Sequence, residues 1–83
     1  MKKKVAILGS TGSIGKSLLK IIEKDQNNFE IVLLTANKDY KTLLNQAKKF
    51  RVKNLIITNA KSYEILKKKK LKKKLKYLVR LNI

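Results

Sequence analysis

The chain has 83 residues, with 22 Lys or Arg against five Asp or Glu, a formal net charge of +17, and no cysteine or histidine. Thiol chemistry, disulfides, the common zinc ligands and the usual general base are thereby excluded, and no run of about 18 apolar residues is present to span a membrane. A chain this short buries only about 60% of its unfolded surface, which leaves room for one small binding unit but not for a further catalytic domain.

In chain order, Val5-Ala6-Ile7-Leu8 is an apolar run of the kind a buried parallel strand presents. Met1-Lys2-Lys3-Lys4 precedes it, but the run is too short for a secretory signal and Gly9 ends it at once, so a cytoplasmic protein is expected. All three glycines fall within Gly9-Ser10-Thr11-Gly12-Ser13-Ile14-Gly15. A helix is expected from Gly12 or Ser13 to Lys24, with Ile14, Leu18, Ile21 and Ile22 on one face. Asp25-Gln26-Asn27-Asn28 breaks it, and Phe29 to Ala36 reads as a second strand whose near-continuous apolar character fits burial on both faces. Asn37-Lys38-Asp39 is a turn, after which Leu43, Leu44, Ala47 and Phe50 line one side of a helix expected over Tyr40 to Phe50. Leu55 to Thr58 is a third strand, and Asn59 is placed to cap a third helix from about Ala60.

Toward the C-terminus the composition changes: from Lys67 to Lys76 every residue is lysine except Leu71 and Leu75. A frayed, basic, amphipathic helix is expected there, with Leu71, Leu75 and Leu78 on its face and Leu66 off it, weakened by like charges four residues apart. The expected fold is α/β, a parallel-sheet Rossmann-type half (β-α-β-α-β-α) with helices on both faces and a basic C-terminal helix. Residues 1–66 form the binding portion in this reading, and residues 67–83 a lysine-rich helical tail.

The strand, glycine turn and helix at the start point free N–H groups and the positive end of a helix dipole at one spot, where a phosphate is the expected guest. In G-x-x-G-x-x-G, Gly9 serves the strand exit, Gly12 a close backbone approach to ligand and Gly15 tight helix packing, while Ser10, Thr11 and Ser13 add hydroxyl donors. An ordinary strand-to-helix turn could use the same residues; the flanking strand and helix favour a nucleotide. Gly15-Lys16-Ser17 looks like the end of a Walker loop, but that loop needs glycine where this chain has Ser10. Thr35 stands about 20 residues past the last glycine, where an NAD site carries an acid, and Lys38 can pair with a 2′-phosphate, so NADPH is expected over NADH. Lys38 also reads as a solvated turn residue, and Asp39 either repels such a phosphate or caps the following helix.

The run from Ala6 to Gly15, together with Phe29 to Ala36, Asn37-Lys38 and Leu43 to Phe50, resembles the opening of the 1-deoxy-D-xylulose 5-phosphate reductoisomerases over about residues 3–66. That resemblance implies an NADPH-dependent, homodimeric enzyme of the non-mevalonate isoprenoid pathway. Such enzymes rearrange and reduce 1-deoxy-D-xylulose 5-phosphate to 2-C-methyl-D-erythritol 4-phosphate with Mg²⁺ or Mn²⁺. By position it implies that Thr11, Gly12, Ser13 and Ile14 hold the NADPH phosphates and that Asn37, Lys38 and Asp39 are cofactor contacts; Gly9 and Ser10, with its hydroxyl donor, are expected to bind the cofactor from the same turn. The family usually carries glycine at the position of Asn37 and asparagine at that of Asp39. It also implies that the metal ligands and the catalytic and C-terminal domains lie beyond this chain. No catalytic or metal residue is therefore assigned, the sugar phosphate is a partner of the full-length enzyme only, and the chain alone is expected to be inactive.

Two other readings stand beside this one. A fragment of another NADP-dependent reductase, such as a semialdehyde dehydrogenase, would share the glycine spacing. A polyanion-binding module would use the lysines of residues 61–80. Against specific nucleic-acid recognition, the aromatic residues are not interleaved with the basic ones, and arginine occurs only as Arg51 and Arg80. Weak, salt-sensitive attraction to polyanions follows from the charge in any case.

Overall fold

The computed structural model describes residues 2–73 and 77–81. Four strands and three helices alternate: β1 (Lys3–Ile7), α1 (Ser13–Glu23), β2 (Phe29–Ala36), α2 (Tyr40–Phe50), β3 (Asn54–Ile57), α3 (Ala60–Lys73) and β4 (Leu78–Leu81). The strands make one sheet in the order β1-β2-β3-β4, every neighbouring pair parallel, with Ile7 beside Leu34, Leu34 beside Leu55 and Leu55 beside Val79. The register slips once, between Val5 and Ala6.

The core lies between the sheet and a single layer of helices. Ile7, Ile31, Leu34, Ala36, Leu55 and Ile57 point from the strands toward Leu19 and Ile22 of α1, Leu43 and Ala47 of α2, and Leu66 of α3, all buried. Glu23 of α1 pairs with Lys49 of α2 at 2.9 Å, and Lys69 of α3 lies over the Tyr40 ring of α2, so the helices sit side by side. That pair is half exposed and contributes little by itself. Helices on both faces were expected, and here the structure differs. A strand order that advances steadily in one direction, joined by right-handed crossovers, returns every helix to the same side. Among the described residues nothing covers the other side: Ala6, Asn54, Leu78 and Arg80 are exposed there, while Leu33 and Ile56 are half-buried.

Two helical faces also differ from the pattern read in the sequence. In α1 the buried residues are Gly15, Leu19 and Ile22, whereas Ile14 is 78%, Leu18 43% and Ile21 64% exposed. The helix is rotated by one residue because Gly15 is its contact point on the preceding turn. The side carrying Glu23 then faces α2, and Ile14, Leu18 and Ile21 turn the opposite way, beyond the free edge of β1. In α3 the buried positions are Ser62 and Leu66, four residues apart, while Leu71 is exposed. Leu78, expected on the helical face, instead opens β4, and Leu75 lies outside the described residues. The expected helical tail is corrected accordingly: α3 runs to Lys73, and residues 78–81 extend the same sheet.

Candidate functional site

At the carboxyl end of β1 the chain leaves the sheet through Gly9, whose φ of +64° is in the left-handed region that L side chains rarely adopt. The next residues are held from two directions. From β2, Thr35 accepts the Gly9 amide on its hydroxyl at 2.9 Å and the Ser10 amide on its carbonyl at 2.8 Å. From α2, Gln46 accepts the Ser10 hydroxyl at 2.7 Å and donates its amide to the Ser10 carbonyl at 2.8 Å. Ser10 is fully buried, so the expectation that its hydroxyl faces a ligand is corrected: both its N–H and O–H are taken up inside the protein.

The Gly12 amide closes the turn on the Gly9 carbonyl at 3.0 Å, and α1 packs so tightly that a Cβ on Gly15 would lie 2.6 Å from Ser10 Cα and 2.9 Å from the Ser10 carbonyl carbon. The packing role read for Gly15 is thus the observed one. The amides of Thr11, Ser13 and Ile14 have no hydrogen-bond acceptor among the described residues. Gly12 is the N-cap of α1, has no side chain to close the helix end, and no acid occupies the first turn. Free N–H groups and the positive end of the dipole therefore meet at an exposed spot suited to an anion.

The second loop lies after β2. Asn37, Lys38 and Asp39 are all exposed, and Lys38 makes no ion pair among the described residues. The loop is braced from β3 and α3: Thr58 donates its hydroxyl to Asn37 Oδ1 at 2.9 Å, Asn59 donates its amide to the Asn37 carbonyl at 3.1 Å, and Ser62 donates its hydroxyl to the Lys38 carbonyl at 2.9 Å. Asn37 does not adopt positive φ, so a side chain at that position costs no backbone strain. Asp39 is the N-cap of α2, accepting the Thr42 amide at 3.1 Å. Its carboxyl is held below the usual range chiefly by the hydrogen bonds from Thr42, with Lys16 and Lys41 adding a smaller electrostatic pull. Of the two roles read for Asp39, the cap is the one seen in the structure. Asn59 caps α3 in the same way, accepting the Ser62 amide at 2.9 Å.

Both loops stand at the carboxyl ends of parallel strands, the position where open α/β sheets bind ligands. A cleft of about 370 Å³, lined by Phe29, Glu30, Lys49 and Arg51 among others, is at the opposite end of the strands and shares no residue with the loops. Among the described residues no group of three or more His, Cys, Asp or Glu side chains converges on a point where a metal could sit, and no helix is long and apolar enough to cross a membrane. The sequence reading missed the braces Gln46, Thr35, Thr58 and Ser62. One signal for Gln46 was available: it stands three residues after Leu43, within the arc of α2 that otherwise faces the core.

A profile of the 1-deoxy-D-xylulose 5-phosphate reductoisomerase family matches residues 5–82 of this chain. The reductoisomerase of Pelagibacter ubique (strain HTCC1062) is 62% identical over 66 residues, which are 80% of this chain and 17% of that protein. Among solved structures, the reductoisomerase of Zymomonas mobilis in complex with NADPH superposes with a TM-score of 0.86 at 30% identity, covering 99% of this chain and 21% of that one. A DOX-P reductoisomerase bound to NADPH, fosmidomycin and magnesium gives a TM-score of 0.86 at 31% identity, covering 96% of this chain and 19% of that one. The chain thus spans about a fifth of the relatives it matches. The family match continues well past residue 66, where the resemblance read from sequence stopped, and takes in β4.

Proposed function

The chain belongs to the 1-deoxy-D-xylulose 5-phosphate reductoisomerase family, and from that membership we propose that it is the NADPH-binding portion of such an enzyme. The observation that carries the reading is the N-terminus of α1, left without a side-chain cap above a braced glycine turn while α2 and α3 are closed by Asp39 and Asn59. In this reading the amides of Thr11, Ser13 and Ile14 bind the pyrophosphate, Gly12 lets it approach, and Lys38 meets the 2′-phosphate. Asn37 holds the second loop through its bonds to Thr58 and Asn59, between β3 and α3, rather than through the ligand. Asp39 keeps its carboxylate on Thr42, and Ser10 supports the turn from within.

The cofactor would supply a hydride for the reduction that follows rearrangement of 1-deoxy-D-xylulose 5-phosphate. The described residues of this chain contribute binding and orientation; they offer no converging ligand set for the family's divalent metal. Homodimeric assembly and a cytoplasmic setting belong to the same reading.

The test is a titration of the chain with NADPH and NADH at low and moderate salt, alongside Lys38→Glu. NADPH is expected to bind in preference to NADH, to keep binding when salt screens the general lysine charge, and to lose about tenfold or more in affinity in the variant while NADH changes little. Binding of both cofactors that disappears with salt and ignores the variant would make the lysines a nonspecific polyanion surface and overturn the reading.

A further inference from the structure

We propose that Gln46 is a positioning residue for the cofactor turn, acting through Ser10 to fix the direction of the amides that follow. The proposal rests on reading that turn as the NADPH site. Gln46 lies in α2, 36 positions from Ser10, and grips that residue twice, accepting its hydroxyl and donating to its carbonyl. Two bonds of opposite sense to one residue restrain the rotation of its peptide unit, which a single bond does not. Ser10 is fully buried, so when Gln46 is removed its carbonyl has no solvent to turn to and its hydroxyl is left with only the longer contact to the Thr35 carbonyl at 3.4 Å.

Nothing in α2 itself asks for an amide at this place. Leu43 and Ala47 supply the buried face, and leucine or methionine would favour the helix as well as glutamine does. The functional group of Gln46 is accounted for only by the turn. Thr35 holds the other side, taking the Gly9 and Ser10 amides. Between them these two anchors occupy the first half of the turn and leave Thr11, Ser13 and Ile14 with free N–H groups. A ligand that meets amides already in place does not bear the entropy of ordering them, so the brace raises affinity without touching the ligand.

The experiment is ¹⁵N NMR of the full chain with and without NADPH, comparing wild type, Gln46→Leu and Gln46→Glu. In Gln46→Leu the amide signals of Thr11 to Ile14 are expected to shift and broaden while those of β2 and the rest of α2 keep their positions, and the NADPH dissociation constant to rise about tenfold. Gln46→Glu keeps an acceptor but at neutral pH has no donor for the Ser10 carbonyl. Its turn signals should be disturbed at pH 7 and return toward the wild-type pattern as the carboxyl is protonated. A purely structural role would give uniform loss of native signals and no such recovery.

Unchanged turn amides and unchanged NADPH affinity in Gln46→Leu overturn the proposal. Should that variant fail to fold, undisturbed turn signals in Gln46→Glu at pH 7 overturn it instead. If the wild-type chain does not bind NADPH, the cofactor reading fails and the proposed role toward the ligand falls with it. The response of the turn amides to substitution still separates that result from a failure of the Gln46 brace.

Discussion

Two kinds of helix N-terminus stand side by side at the carboxyl end of this sheet. Those of α2 and α3 are closed by side chains, Asp39 on the Thr42 amide and Asn59 on the Ser62 amide. That of α1 begins at Gly12, which cannot close anything. The local backbone hydrogen-bonding need is the same in all three, and the difference is one side chain. A capped end adds to the stability of the fold; an uncapped one keeps its amides for a guest. The same stretch that forgoes the cap is braced by Thr35 and Gln46, so the loss of local stabilisation is offset by contacts from other elements.

The contrast can be broken most severely at Gly15. A side chain there would run into the backbone of Ser10, which has no flexible end to yield, so Gly15→Val is expected to cost about 3 kcal/mol or more. Urea unfolding followed by circular dichroism would read this as a collapse of the midpoint, and a wild-type midpoint would mean that α1 does not pack on the turn as described. A subtler change makes α1 like its neighbours. Gly12 has φ −80° and ψ 173°, an extended conformation open to any residue, so Gly12→Asp can install the missing cap. The expected outcome is opposite in sign for the two properties: roughly 0.5 kcal/mol more stability and about tenfold or more weaker NADPH binding. Calorimetric titration alongside thermal melting checks both, and retained affinity would remove the uncapped end from the site.

The smallest effect is the reverse experiment on α2. Asp39→Ala removes a cap and is expected to cost about 1 kcal/mol while leaving NADPH affinity nearly unchanged. Because the folded protein lowers the Asp39 pKa, its contribution is fully present above the ordinary aspartate value near 4 and fades as pH falls through the lower folded value. The stability gap between wild type and the variant should therefore be constant around neutrality and close in acid. A gap that persisted at low pH would assign the loss to something other than the charged cap.

Most of the fold was legible where apolar runs were punctuated. Gly9, the Asp25 to Asn28 stretch and Asn37 to Asp39 mark the ends of elements, and β1, α1, β2, α2 and β3 fall close to where the runs place them. β4 was not legible, because Leu78 follows the lysine run without a turn signal and happens to continue the spacing of Leu71 and Leu75. The inward face of α1 was read one residue off for a related reason. Apolar residues at 14, 18, 19, 21 and 22 offer two adjoining stripes, and the choice between them is made by the contact of Gly15 with the turn, a tertiary fact. Within the site, the glycines were readable because each meets a backbone demand that few residues satisfy. The pairing of Ser10 with Gln46 was not: the place of Gln46 on the inner arc of α2 marks it as unusual, but a hydroxyl carries no mark of which way it points and its partner is 36 positions away.

The uncovered side of the sheet has a consequence for how the protein behaves in bulk. Leu33, Ile56 and Leu78 on that side, and Ile14, Leu18 and Ile21 beyond the free edge of β1, would each gain by meeting another molecule. What opposes the approach of copies is the charge of +17, with Lys2, Lys3 and Lys4 exposed at the start of the edge strand β1. That repulsion reaches only about 8 Å at physiological ionic strength and shrinks as salt is added, whereas apolar attraction does not. For this 83-residue chain, self-association is therefore expected to rise with ionic strength, a trend that light scattering across a salt series would read directly.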